Sequence, residues 1–159
     1  MTPDVTIIMV SDYKPGEAKS WEDFRKALRA LRNQDFSGRF DVLLVEEERL
    51  ADQIPSDIPG LLPGLRILTS RETNSYALAN VGVEEARTDK VILLDADCVP
   101  TRGWLTGFFA AMDRYPDAAV VSGPTRYPGT TLTERCMSLL SRSYVDPGGR
   151  GYTAHISNN

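Results

Sequence analysis

Two carboxylates one residue apart, Asp95 and Asp97, close the apolar run in Lys90-Val-Ile-Leu-Leu-Asp-Ala-Asp-Cys-Val-Pro100. Four apolar residues without polar alternation predict a strand buried on both faces of a parallel sheet. Unpaired carboxylates are costly inside a core, so Asp95 and Asp97 are expected where the strand leaves it, at its carboxyl end. Open α/β sheets bind their ligands at that end. Two acidic side chains there make a hard oxygen site for Mg²⁺ or Mn²⁺, which can also carry the phosphates of a substrate.

Other residue types with chemical potential are weighed against plainer roles. Glu46-Glu47-Glu48 has the form of a solvated charge run. Cys98 has no histidine placed to activate it and is expected to be a small buried hydrophobe. His155 is the single histidine of the chain, which excludes a multi-histidine metal centre. Arg150 lies in the glycine-rich Asp-Pro-Gly-Gly-Arg-Gly segment, where a solvated arginine is the expectation.

The elements that must position the acidic pair alternate between strand and helix. Val5 to Val10 (VTIIMV) predicts a first strand. Ser20, followed by Asp23, has the form of an N-cap ahead of an amphipathic helix over Trp21 to Asn33, with Trp21, Phe24, Leu28 and Leu31 at helical spacing. Asp41 to Val45 and Leu65 to Leu68 predict two further strands, joined by a proline- and glycine-rich surface connection over Ala51 to Gly64.

Ser75 is expected to cap a helix to about Ala86, which delivers the chain to the strand ending at Asp95. Leu105, Phe108, Phe109 and Met112 form another helical stripe, and Ala118 to Ser122 predicts a strand. Thr131 with Glu134 forms a capping box before Leu132, Cys136, Leu139 and Leu140. This alternation implies βαβ units and a mainly parallel sheet.

Bulk properties narrow the functional classes. A chain of 159 residues is expected to form one domain with a real core. With 42% hydrophobic and 25% charged residues it has the balance of a soluble globular protein. A net charge of −4 argues against non-specific nucleic-acid binding. There is no apolar run of spanning length and no signal-peptide pattern at Met-Thr-Pro-Asp. Cys98 and Cys136 fit no disulfide framework, and a cytoplasmic protein with reduced thiols is the expectation.

Taken in order, these elements resemble the GT-A fold of inverting family 2 glycosyltransferases. VTIIMV corresponds to the family's opening strand. Asp-Val-Leu-Leu-Val-Glu-Glu-Glu48 sits where the family carries two valines, two aspartates, glycine and serine. Ser75-Tyr-Ala-Leu-Ala-Asn-Val-Gly82 with Glu85-Ala86 is similar to its Ala-x-Asn-x-Gly helix, and Lys90 to Trp104 to its DXD strand and subsequent Pro…Trp-Leu. The resemblance covers nearly the whole chain. It implies a three-layer αβα fold with a mainly parallel sheet, forming a nucleotide-sugar-binding portion whose C-terminal acceptor side is cut short.

The roles implied by the resemblance fall on particular residues. Asp97 resembles the residue that coordinates a divalent Mg²⁺ or Mn²⁺ on the donor diphosphate, and Asp95 the one that faces the ribose and helps hold the metal. Val10 and Ser11 would border the base, with Glu46 or Glu47 at the position of the base-contacting aspartate and Asn80 on the helix flanking the nucleotide pocket. The family's general base would lie beyond Asn159. Two departures stand out: Val10-Ser-Asp-Tyr13 replaces the usual Pro-x-Tyr-Asn, and glutamates replace the aspartates of the second strand.

The resemblance implies sugar transfer, with inversion, from a nucleoside diphosphate sugar to a carbohydrate, lipid or other hydroxyl acceptor. The expected location is the cytoplasm, with a peripheral place at the inner face of the membrane as the alternative. A homodimer is the expected assembly, through apolar surface left uncovered on the acceptor side. Two rival readings are a non-catalytic nucleotide-sugar-binding module and a sugar-phosphate nucleotidyltransferase. The second would want a glycine- and arginine-containing loop after the first strand, whereas Ser11-Asp-Tyr-Lys-Pro-Gly16 has one glycine and no arginine.

Overall fold

The computed structural model of the protein describes residues 2–11, 21–123 and 131–136. The chain divides into two compact units, Met1–Thr106 and Gly107–Asn159. In the first, β1 (Val5–Val10), β2 (Phe40–Glu47), β3 (Leu65–Ser70) and β4 (Val91–Leu93) form a sheet in the order β3-β2-β1-β4. All three pairings are parallel, with Val5 opposite Phe40, Thr6 opposite Val91 and Val42 opposite Leu65. Helices α1 (Trp21–Arg32), α2 (Ile58–Leu61) and α3 (Ser75–Glu84) alternate with the strands. This is the mainly parallel α/β arrangement the periodicity predicts.

The core lies on the two central strands. Val5, Ile7, Ile8 and Met9 of β1 and Val42 to Val45 of β2 are buried on successive positions, as strands covered on both faces must be. Ile8, Leu43 and Val45 meet Leu78 of α3, and Val10, Leu68, Val81 and Val91 pack around them. Gly82 permits this approach: a Cβ there would stand 2.5 Å from Ile8 Cγ2 and 3.1 Å from Val45 Cγ2.

Helix α1 buries Phe24, Ala27, Leu28 and Leu31, one stripe at helical spacing. Glu22 and Asp23 in its first turn and Arg29 and Arg32 in its last oppose the helix dipole. The Arg25 guanidinium grips the Asp57 carboxylate through two bonds of 2.7 and 2.8 Å, which ties α1 to the start of α2.

Several sequence expectations change. Strands β2 and β3 run two residues further than predicted, to Glu47 and Ser70, because each continues to find ladder partners in the other. Strand β4 stops at Leu93, short of Asp95, because the chain turns there. The cap of α3 is Asn74: its side chain accepts the Tyr76 and Ala77 amides at 2.9 and 3.4 Å, so Ser75 is already inside the helix. The Ala51 to Gly64 connection is not confined to the surface, since Ile58 and Leu62 are buried.

Helix α4 (Trp104–Arg114) matches the predicted stripe, with Leu105 fully buried and Phe108, Phe109 and Met112 half-buried. In the second unit the Arg114 guanidinium lies 5.6 Å from the centre of the Tyr115 ring. Residues 118–122 form no strand, and Val120 is exposed. An apolar run marks a candidate strand, but the ladder must come from a neighbour, and among the described residues no strand pairs with it.

The Thr131 capping box is present: the Thr131 amide donates to Glu134 Oε2 at 3.0 Å, and the Glu134 amide to Thr131 Oγ1 at 3.2 Å. The Ser20 cap, residues 12–20, Leu139, Leu140, Arg150 and His155 lie outside the described residues.

Candidate functional site

The carboxyl ends of β1, β2 and β4 hold the acidic and hydroxyl groups with chemical potential. Leu94 still donates its amide to Ile8 O at 3.0 Å, and the chain then turns, the Cys98 amide donating to Asp95 O at 3.0 Å. Along the turn, Leu94, Ala96 and Pro100 are buried while Asp95 and Asp97 are exposed. The apolar residues anchor the segment and the carboxylates face out together. One ligand atom each from Asp95, Asp97 and Cys98 lies within 4.8 Å of the other two. Cys98 is half-buried, not the buried hydrophobe expected from its neighbours, because the turn brings its sulfur toward the carboxylates.

Two residues beyond the end of α1 fix the segment after this turn. Gln34 Nε2 donates to Thr101 O at 2.7 Å, and Gln34 Oε1 accepts the Leu105 amide at 3.0 Å. Asp35 donates its amide to Arg102 O at 3.0 Å and accepts from Thr106 Oγ1 at 2.8 Å. The Gln34 and Asp35 pair thus pins the first turn of α4, which holds the far end of the Asp95–Gly103 segment. Nothing in their sequence neighbourhood signals this role, because the partners lie 67 to 71 residues away.

A second cluster joins the ends of β1 and β2. Val10 is opposite Val45 in the ladder, so the next step places Ser11 beside Glu46. Ser11 Oγ donates to Glu46 Oε2, and the Glu47 amide donates to Glu46 Oε1 at 2.8 Å. Ser11 and Glu46 are 3% and 2% exposed, so Glu46 does not belong to a solvated charge run. Glu47 is half-buried and paired with Arg49, whereas Glu48 is exposed and lies 3.4 Å from Arg71. Val10 is half-buried against the core cluster, and Asn80 is exposed on α3. Two groupings therefore exist, Asp95 with Asp97 and Ser11 with Glu46, at the same end of adjacent strands.

The donor chemistry of the first grouping fits a hard divalent cation. Two exposed carboxylates lie close enough to share one cation and suit Mg²⁺ or Mn²⁺, while the Cys98 sulfur is the softer and poorer partner for either.

The sequence profile of glycosyl transferase family 2 matches residues 17–153. The chain belongs to glycosyl transferase family 2. Among solved structures, it is similar to S. aureus TarS with a TM-score of 0.55 and 19% identity, over 80% of this chain and 24% of that one. It is likewise similar to S. aureus TarS 1–349 in complex with UDP (TM-score 0.54, 21% identity, 77% of this chain and 38% of that one). The complex of TarS 1–349 with UDP-GlcNAc gives a TM-score of 0.53 at 21% identity, over 77% and 37% of the two chains. Comparison with curated proteins finds no match. The parallel sheet is thus of the GT-A type, and this family 2 chain spans about a quarter to two-fifths of the length of the TarS chains it resembles.

Proposed function

We propose that this chain is the donor-binding portion of an inverting glycosyltransferase that moves a sugar from a nucleoside diphosphate sugar to an acceptor hydroxyl. The observation that carries the reading is the proximity of the exposed Asp95 and Asp97 carboxylates beyond the carboxyl end of a strand of a family 2 sheet. The complexes of TarS with UDP and UDP-GlcNAc support a nucleotide-sugar donor.

Asp97 and Asp95 would hold Mg²⁺ or Mn²⁺, which neutralises charge on a leaving diphosphate when bound. The buried anchors Leu94, Ala96 and Pro100, with the Gln34 and Asp35 clamp behind them, keep the two carboxylates in register without substrate. Preorganisation of this kind lowers the cost of assembling the site. Val10 and Ser11 would border the base, with Ser11 holding the buried Glu46 carboxylate in a fixed orientation. Glu47, at the last position of β2, and Asn80, on the exposed side of α3, would complete the nucleotide contacts. The acceptor's general base is assigned to none of the described residues, and the acceptor is a carbohydrate, lipid or other hydroxyl.

Calorimetric titration of the 159-residue chain with UDP and GDP, with and without Mn²⁺, tests the reading. Diphosphate affinity that rises with Mn²⁺ is expected. Affinity indifferent to the metal would remove the basis for metal-assisted transfer. Metal-dependent binding without sugar transfer to any acceptor would favour the donor-binding module over the enzyme.

A further inference from the structure

The end of the sheet opposite the acidic pair carries a second charged feature. An open depression of about 640 Å³ lies at the amino-terminal ends of β2 and β3, a volume within the range of small-ligand sites. Four arginines, Arg32, Arg39, Arg66 and Arg87, line it with one carboxylate, Asp41. On a chain of net charge −4 this is a concentration of positive charge with no counterpart in the overall balance.

Part of that charge is structural. Arg66 lies 3.3 Å from Asp41 and donates to Glu85 O, beyond the last turn of α3. Arg32 stands in the last turn of α1, where a cation offsets the carbonyl end of the helix. Arg39 and Arg87 are different: both are exposed, neither lies in a helix, and neither has an ion-pair partner among the described residues. Two helix C-termini contribute about half a negative charge each. With Asp41 counted, the depression keeps a surplus of roughly two positive charges, and of roughly one if nearby Asp4 is added. Arg39 is also held in place: the Asp4 amide donates to Arg39 O at 2.8 Å, and the Arg39 amide to Asp4 Oδ2 at 2.7 Å.

We infer that this depression binds a phosphate group, with Arg39 and Arg87 as its principal contacts. The planar guanidinium fork matches phosphate geometry in pairs of hydrogen bonds, and the net positive charge of the depression favours an anion of this kind. The site is separate from the acidic pair, which follows the carboxyl end of β4 at the opposite end of the sheet, so both can be filled at once. The phosphate belongs either to a soluble molecule or to an anionic lipid headgroup, and the chemistry of recognition is the same.

Amide NMR titration with inorganic phosphate, at ionic strength held constant with chloride, tests the inference. Phosphate is expected to move the amides of Gly38 to Asp41, of Gly64 to Arg66, and of Arg87 and Thr88, where equal chloride does not. The double substitution Arg39→Gln with Arg87→Gln is expected to weaken the effect by at least about tenfold, the loss of charge-assisted hydrogen bonds, at unchanged thermal stability. A second arm pellets the protein with phosphatidylcholine vesicles with and without phosphatidylglycerol. Given the phosphate response, pelleting by wild type and not by the double variant assigns the lipid source, and no pelleting assigns a soluble one. Absence of a phosphate-specific response, or a response that survives the double substitution, overturns the inference.

Discussion

Ser11 Oγ donates to Glu46 Oε2 where β1 and β2 end side by side, and both residues are buried. A carboxylate withdrawn from water needs donors, and Glu46 has the Ser11 hydroxyl and the Glu47 amide among them. Ser11→Ala removes one donor and leaves the buried Glu46 oxygen in place. The expected loss is about 1–3 kcal/mol, the cost of an under-satisfied buried acceptor. It is measured as a lower denaturant midpoint at unchanged slope. A midpoint equal to wild type would show that water replaces the hydroxyl, and that the pair does not stabilise the strand ends.

The same pair marks where sequence reasoning reaches its limit. Strand β1 is legible because Val5 to Val10 is apolar apart from Thr6, whose hydroxyl finds Asp41 at 2.8 Å. Strand β2 is legible only to Val45: a glutamate triplet has the composition of a solvated face, and only the ladder reveals that Glu46 is inside. Asn74 and Ser75 are neighbouring cap-formers, and composition alone does not choose between them. The acidic pair is legible by its place after an apolar run. The Gln34 clamp is not, because its partners are fixed by tertiary folding rather than by local pattern.

If Asp95 and Asp97 hold the cation, each contributes charge as well as an oxygen. Asp97→Asn and Asp95→Asn are each expected to weaken Mn²⁺ binding by at least about tenfold, roughly 1.4 kcal/mol. Both carboxylates are exposed, so folding stability should stay near wild type. Cys98→Ser replaces a soft donor with a hard one and is expected to leave Mn²⁺ affinity unchanged or raised. Calorimetry on the three variants checks this, and a loss on Cys98→Ser larger than on Asp97→Asn would point instead to a thiolate-binding metal.

The Arg25 and Asp57 pair predicts how stability depends on pH. The hydrogen bond from Arg25 holds the Asp57 carboxyl below its ordinary value of 3.8, and the attraction of the two charges acts in the same direction. An unfolded chain therefore binds this proton at higher pH than the folded one. The stabilisation is fully present above 3.8 and fades as pH falls through the lower folded value. Arg25→Gln is expected to cost a small amount of stability at neutral pH, as exposed pairs do. The difference from wild type should shrink on acidification below 3.8, and the Asp57 carboxyl tracked by NMR should return to its ordinary value.

Gly82 sets how closely α3 approaches the sheet. Replacement by alanine improves intrinsic helix propensity by up to about 1 kcal/mol. The added Cβ would meet Ile8 Cγ2 at 2.5 Å, and Ile8 is a buried core residue with no free direction in which to retreat. Overpacking of this kind costs about 1–3 kcal/mol, so the steric term wins and Gly82→Ala should lower the melting temperature. Truncation of the neighbour separates the two effects. Ile8→Ala destabilises the wild-type chain by leaving a cavity, but in the Gly82→Ala background it also relieves the collision. The two substitutions should therefore couple favourably by about 0.5–3 kcal/mol in a double-mutant cycle. Additive effects would mean that α3 shifts off β1 as a body to accept the methyl group.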